Sequence, residues 1–140
     1  TGLELISKWS INSYLSLSIT FNYIHNTDGS GKLIPNTVPI SFGTRFSYSL
    51  PDKSLLFSLN LKGNGRYFPQ EFDPEKGDYI SSAIPIEPYL MADLMVQYKI
   101  GPGQKLIIGS KNIGDHTNRS YGPYIGRTAY IEIKTTLKRK

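Results

Sequence analysis

The sequence predicts an all-β chain of about seven antiparallel strands, connected up and down, from the wall of a larger transmembrane β-barrel. Three observations predict this fold. Apolar and polar residues alternate along several segments, short and long connections alternate between those segments, and aromatic residues concentrate at the segment ends.

The clearest strand covers residues 14–23. Every odd position from Leu15 to Tyr23 is apolar, whereas the even positions between them are polar: Ser16, Ser18, Thr20 and Asn22. Residues two apart share a face on a strand but point in nearly opposite directions on a helix. This segment is therefore predicted to be a strand with one apolar and one polar face.

The same alternation recurs along the rest of the chain, in residues 3–9, 40–50, 55–62, 89–100, 105–113 and 129–137. Several of these segments reach the ~9–11 residues that a tilted strand needs to cross the hydrocarbon layer, which exceeds the ~5–6 residues of an ordinary strand. The polar face also carries charges in mid-strand, which a water-filled lumen would solvate: Arg45, Lys62, Glu132 and Lys134.

The connections fall into two classes. Residues 10–13, 51–54 and 101–104 form short connections, and residues 25–39, 69–88 and 115–123 form long ones. Up-and-down strands send every second connection to the same end. The sequence therefore predicts tight turns at one end and long loops at the other, as in outer-membrane barrels.

The aromatic residues predict two belts, as two lipid–water interfaces would select. One set lies near the tight turns: Trp9, Tyr48, Phe57 and Tyr98. The other set lies near the long loops: Tyr23, Phe42, Tyr67, Phe68, Tyr89 and Tyr124.

Composition excludes several function classes. The chain has 140 residues, a net charge of +5 and no cysteine, so it offers no thiolate metal site. Lys and Arg are spread along the chain, with one dense run at Lys138-Arg139-Lys140, so no nucleic-acid partner is predicted. No catalytic constellation, metal site or cofactor motif is recognised, and we expect no enzyme. Residues 1–4 do not resemble a signal peptide, so any export signal is expected upstream.

Two stretches near the end resemble TonB-dependent outer-membrane receptors. Lys111-Asn112-Ile113-Gly114-Asp115 is similar to the Asn-Leu-Phe-Asp-like stretch of that family, and residues 121–130, YGPYIGRTAY, are similar to the Gly-Pro/Gly-Arg stretch that opens its last strand. Residues 35–39 and 89–93 also resemble the family. The resemblance implies a large barrel enclosing an N-terminal plug.

The resemblance also implies what the whole protein does. Residues 1–140 would be a partial barrel domain, with the plug and the TonB box that engages the inner-membrane energy-coupling protein lying upstream. The barrel would sit in the bacterial outer membrane, among lipid and lipopolysaccharide, and take up a scarce small-molecule ligand such as a siderophore-like metal chelate. Barrels of this family usually finish on an aromatic residue, whereas this chain finishes on Leu137-Lys138-Arg139-Lys140. That departure leaves the true C-terminus and the assembly signal open.

Four residues are predicted to contact such a ligand: lumen-facing Arg66, and Tyr79, Arg119 and Tyr121 in the long loops. Cationic and aromatic groups suit an anionic, aromatic chelate. The alternative for each is a solubilising residue or one facing lipopolysaccharide. Two other interpretations of the whole chain remain: a passive porin-like barrel or small adhesin without a plug, and a soluble β-sandwich or lipocalin-like binding module that folds without detergent.

Overall fold

The computed structural model describes residues 1–136 and contains strands but no helix in that range. The strands are β1 (Gly2–Ser10), β2 (Leu15–Ile24), β3 (Ile40–Ser49), β4 (Leu55–Asn64), β5 (Gln70–Asp73), β6 (Asp78–Ser81), β7 (Tyr89–Gly101), β8 (Gln104–Lys111) and β9 (Thr128–Thr135). Within the described part of the chain, no helix is long and apolar enough to span a membrane.

Seven strands form one antiparallel sheet in the order β1-β2-β3-β4-β7-β8-β9. Neighbours in this sheet are successive along the chain, except that the β5–β6 hairpin is inserted between β4 and β7. The prediction of seven up-and-down strands is confirmed, with tight turns at one end and long connections at the other. The hairpin was not predicted. Leu137, assigned to the last strand from the sequence, lies outside the described residues, as does the terminal Lys138-Arg139-Lys140 run.

Strand register gathers the apolar positions on one face. Phe46 pairs with Leu17 on one side and Leu59 on the other, and Leu59 pairs in turn with Leu94. One residue along, Arg45 pairs with Ser18 and Asn60 on the opposite, polar face. Because side chains alternate across a strand, the two-residue period of the sequence becomes two chemically distinct faces of the sheet.

The apolar face is left uncovered. Ile131 is 74% exposed and Ile133 is 68% exposed, and the buried apolar side chains within residues 1–136 are Pro69, Ile86 and Ile107. A soluble β-sandwich would cover such a face with a second sheet, but the described residues form only the four-residue strands β5 and β6 outside the main sheet. A contiguous apolar surface of this kind calls for an apolar environment.

Local side chains set two of the tight turns. Asn12 accepts hydrogen bonds through Oδ1 from the backbone N–H groups of Tyr14 and Leu15, at 2.8 and 2.9 Å. Asp52 accepts from the N–H and the hydroxyl of Ser54, at 3.0 and 2.8 Å. The backbone hydrogen bond from Ser54 is the largest reason why the pKa of Asp52 lies below its ordinary value.

Aromatic rings lie across two glycines of the sheet. Gly63 pairs with Phe42, and Gly109 pairs with Tyr130, so that each ring covers the bare backbone opposite it. A Cβ atom added at Gly109 would lie 2.7 Å from the carbonyl oxygen of Leu94 and 2.5 Å from the Tyr130 hydroxyl. Glycine is therefore required at this position by close packing.

The strand register shows which face of the sheet carries Tyr89, one of the aromatic residues near the long loops. Leu90 pairs with Gly63 on the apolar face, so its neighbour Tyr89, paired with Asn64, lies on the polar face. There its ring stacks on His116 with a centroid separation of 4.7 Å. Tyr89 therefore lies near the long loops, as predicted, but it faces the polar side of the sheet and does not contribute to a lipid-facing belt. Tyr48 and Phe57 pair directly on the apolar face near the tight turns, as that belt requires.

Candidate functional site

Three long connections at one end of the sheet form what we call the loop rim: residues 25–39, 65–88 and 112–127. Loops over a rigid sheet are where binding residues usually lie. Each of these three connections is held in shape by hydrogen bonds from its own side chains.

The first connection is built on Asp28. Its Oδ1 atom accepts hydrogen bonds from the N–H and hydroxyl of Ser30, at 2.8 and 2.7 Å, and from the N–H of Lys32 at 3.0 Å. The Ser30 hydroxyl contributes most to holding the pKa of Asp28 below its ordinary value, because these bonds favour the charged carboxylate.

Asn36 joins the first connection to the second. Its backbone N–H donates to the carbonyl of Phe68 at 2.9 Å, and its Oδ1 accepts from the N–H of Gln70 at 3.0 Å. Asn36 has a φ of 61°, a left-handed conformation that Asn tolerates better than most residues. The first and second connections are therefore held together by two hydrogen bonds, one through the backbone of Asn36 and one through its side chain.

The second connection carries the β5–β6 hairpin on a small packed base. Pro69 is fully buried, and Ser82 and Ile86 are 4% and 5% exposed. The Ser82 N–H donates to the Pro69 carbonyl at 2.8 Å, and Tyr67 and Ile86 exchange two backbone hydrogen bonds. Burial raises the pKa of the Tyr67 hydroxyl. The hairpin is thus anchored at its base, while its turn at residues 74–77 is exposed to solvent.

Asn112 organises the third connection. It is 5% exposed, and its Nδ2 donates to the carbonyls of His116 and Ile125, at 2.7 and 3.3 Å. Its Oδ1 accepts from the His116 N–H at 3.1 Å, and its own N–H donates to Asp93 Oδ1 at 2.9 Å. Asn112 therefore attaches the loop to β7. From the sequence alone, this residue is notable only because the stretch around it resembles a family motif.

Asp115, the last residue of that stretch, holds the far side of the same connection. Its Oδ1 accepts from the Arg127 N–H at 2.7 Å. The Asp115 carboxylate also occupies the space that a side chain at Gly126 would need. This contact explains the glycine at position 126, whereas the N–H at position 127 could come from any residue except proline.

The structure places Arg66 in the second connection, two residues beyond β4, whereas the sequence placed it on the lumen face. Its guanidinium forms an ion pair with Glu87 at 2.7 Å, and the two side chains are 59% and 62% exposed. An exposed pair of this kind is weak. Arg66 thus remains accessible to solvent, with part of its charge balanced by Glu87.

The other three predicted residues also lie on the loop rim. Tyr79 is 63% exposed on β6, with its ring edge-on to Phe72 at 5.3 Å. Arg119 and Tyr121 sit in a turn whose Asn118 Oδ1 accepts from the N–H groups of Ser120 and Tyr121, both at 3.0 Å.

Within residues 1–136, no hydrogen bond, ion pair or ring contact joins any two of these four side chains. They share one end of the sheet rather than a common pocket, and ligand contact by them stays a prediction. No group of three potential metal ligands gathers in the described range.

A second feature lies on the polar face, below the loop rim. It is a shallow depression of about 290 Å³, here called the basic groove, lined by Lys8, Ser18, Thr20, Gly43, Thr44, Arg45, Asn60, Leu61 and Lys62. Three cations from three different strands surround it. Sequence reasoning missed it because only strand pairing brings these residues together.

Comparison with known proteins identifies the fold. No family model matches the chain and no curated protein matches its sequence. Among solved structures, the ferric enterobactin receptor PfeA of Pseudomonas aeruginosa aligns with 96% of this chain at 20% identity and a TM-score of 0.78 as the G324V mutant. The Q482A mutant in complex with enterobactin aligns over the same share at 19% identity, with a TM-score of 0.79.

The P. aeruginosa protein FpvA, bound to iron and a heterologous pyoverdine, aligns with 96% of this chain at 17% identity and a TM-score of 0.77. The chain spans only 19% of FpvA and 22% of PfeA. It therefore has the fold of a segment of the barrel wall of such receptors, and the fold prediction is confirmed. The matched structures are receptors, not enzymes.

Proposed function

We propose that this chain is the C-terminal part of the barrel of a TonB-dependent outer-membrane receptor, which takes up a scarce solute such as a ferric siderophore. The observation that carries the proposal is the alignment of 96% of the chain with siderophore receptors, combined with a sheet whose apolar face has no cover. The lipid bilayer supplies that cover, and the polar face then lines the lumen.

The proposed placement in the outer membrane implies the following partners. Outer-membrane lipid contacts the apolar face, and lipopolysaccharide surrounds the loop rim. The plug of the same receptor fills the lumen, and its upstream segment engages the inner-membrane energy-coupling protein. The exposed groups on the rim, Arg66, Tyr79, Arg119 and Tyr121, contribute to capture of an anionic ligand by charge and ring stacking.

The test uses the full-length gene from which this chain comes. A strain that lacks its own siderophore receptors would be complemented with it, and uptake of radiolabelled ferric enterobactin and ferripyoverdine measured with and without a protonophore. We expect accumulation of at least one chelate, abolished by the protonophore. Uptake that persists without an energised inner membrane would instead support the passive porin-like barrel.

A variant pair tests the loop rim in the same assay. Tyr79→Ala and Arg119→Ala remove exposed groups from the rim, whereas Lys53→Ala removes an exposed cation from the tight turn at the opposite end. We expect weaker binding of the chelate to cells bearing the rim variants and unchanged binding with Lys53→Ala. Unchanged binding by all three variants would remove these residues from the ligand site while leaving the receptor assignment intact.

A further inference from the structure

We propose that the basic groove is an oxyanion-binding site on the polar face, suited to phosphate or carboxylate groups that carry several negative charges. The inference rests on the proposed function in one respect: the polar face must line the lumen of the barrel. The basic groove lies on the strands and is separate from the four predicted ligand-contact residues on the loop rim.

Strand register sets the spacing of the three cations. Lys8 pairs with Ser18, which pairs with Arg45, so Lys8 and Arg45 lie in one row with a single strand between them. Strands are about 4.8 Å apart, which puts their backbones about 10 Å apart. Lys62 pairs with Gly43, two residues along β3 from Arg45, a diagonal of about 7–8 Å. Long side chains can converge over such distances on one polyvalent anion.

The floor of the groove is made by small residues. Ser18 and Thr20 supply hydroxyl donors, and Gly43 supplies no side chain. A Cβ atom added at Gly43 would meet nothing closer than the Leu61 carbonyl at 4.0 Å, so the space above this glycine is open. These short side chains lie among three long ones, so the depression leaves room for a small anion.

Arg45 is oriented before any ligand arrives. Its Nε donates to Asn60 Oδ1 at 2.7 Å, a contact that fixes the plane of the guanidinium and leaves the two terminal nitrogens for another acceptor. A planar fork of this kind matches carboxylate and phosphate oxygens. Asn60 thus acts as a positioning residue for Arg45.

The positive charge of the groove is only partly balanced by carboxylates. None of the lining residues is acidic. The ion pairs found within residues 1–136 join Arg66 to Glu87, Lys76 to Asp73 and Lys134 to Glu132, and none involves a groove cation. Asp93, which pairs with Asn60 and lies on the diagonal from Lys62, adds one negative charge beside the three cations, and its Oδ1 also accepts the N–H of Asn112. A polyvalent anion would supply the missing negative charge.

Two sources could supply that chemistry: a free solute, or acidic side chains elsewhere in the longer polypeptide. Both arms of the experiment use the full-length receptor in detergent micelles. In the first, inorganic pyrophosphate is titrated calorimetrically at low salt. In the second, a carbodiimide couples lysine amines to carboxylates in direct contact, and the products are mapped by mass spectrometry.

We expect either saturable pyrophosphate binding or a carbodiimide cross-link from Lys8 or Lys62 to an acidic segment. Arg45→Gln should weaken pyrophosphate binding about ten-fold or more, the effect of one hydrogen bond to a charged group. Lys62→Gln should remove a cross-link made through that residue. Asn60→Leu keeps all three cations but releases Arg45, and should weaken pyrophosphate binding to a smaller extent.

The matched control is Lys105→Gln. Lys105 lies on the same face in a row with Lys99 and Lys134 but does not line the groove. If Lys105→Gln loses as much binding as Arg45→Gln, or if wild type shows neither pyrophosphate binding nor a cross-link from the groove lysines, the inference is wrong. Ferric chelate uptake is measured separately, so loss of the oxyanion site and failure of the receptor assignment give different results.

Discussion

Leu59 and Asn60 are neighbours on β4 that face opposite environments. Leu59 lies in the apolar row between Phe46 and Leu94, and Asn60 lies in the polar row between Arg45 and Asp93. β4 runs over ten residues, Leu55–Asn64. With a rise of about 3.3 Å per residue and a tilt near 40°, it spans about 25 Å, so both positions lie near the middle of the apolar band.

Replacing each residue by arginine compares the free-energy cost of a positive charge in the two environments. Leu59→Arg places a cation near the bilayer midplane, which costs about 2–4 kcal/mol. Asn60→Arg places it in a wet lumen. There it loses the hydrogen bond from Arg45 Nε, worth about 1 kcal/mol, and adds repulsion from Arg45 of about 1 kcal/mol or less in water. Leu59→Arg should therefore be the more damaging of the two.

The measurement is the urea midpoint of each full-length variant refolded into lipid vesicles, with Leu59→Ile as a control for packing. Repeating it at high salt separates the causes, because salt screens repulsion in the lumen but not burial in hydrocarbon. The cost of Asn60→Arg should fall with salt, and that of Leu59→Arg should not. Equal costs, or a larger cost for Asn60→Arg, would refute the assignment of the two faces.

Three further predictions concern stability. Gly109→Ala should destabilise the full-length barrel by about 1–3 kcal/mol by overpacking, whereas Gly43→Ala, with open space around it, should change the urea midpoint little. Asn112→Ala removes a buried hub of side-chain hydrogen bonds and should cost about 2–3 kcal/mol, seen as faster proteolysis within residues 112–127. The pKa of Asp28 is lowered in the folded loop, so its stabilising bonds are present at neutral pH and are lost as pH falls below its ordinary value of 3.8. The protection factor of the Ser30 amide, which corrects for the intrinsic exchange rate, should fall over that acid range, and Asp28→Asn should abolish this fall.

The strands of the main sheet could be predicted from the sequence because each carries its own signal. Ten alternating residues between two chemically different environments leave a two-residue period that needs no knowledge of the partner strand. The predicted ends of the seven segments lie within about two residues of the observed strands, since the polar turn residues that bound them are also local signals.

Features that depend on pairing were harder to predict. Alternation already predicts that Leu90, and not Tyr89, lies on the apolar face, but the stacking of Tyr89 on His116 depends on the fold of the third connection. The β5–β6 hairpin has four-residue strands, too short for a periodic pattern to stand out. The basic groove combines Lys8, Arg45 and Lys62 from β1, β3 and β4. The local sequence of one strand does not indicate which residues of the other strands will lie beside it.

The attachment at Asn36 bears on the thermodynamics of capture. Two independent loops would each lose conformational freedom when a ligand is held between them, and that lost entropy subtracts from the affinity. Here the Phe68 carbonyl and the Gln70 N–H already hold the first connection to the second. Part of the ordering entropy is thus lost during folding instead of at the moment of binding. Asn36→Gly keeps the left-handed backbone accessible and retains the N–H bond to Phe68, but it removes the Oδ1 bond to Gln70. It should weaken the attachment and make chelate binding entropically less favourable while leaving the sheet intact.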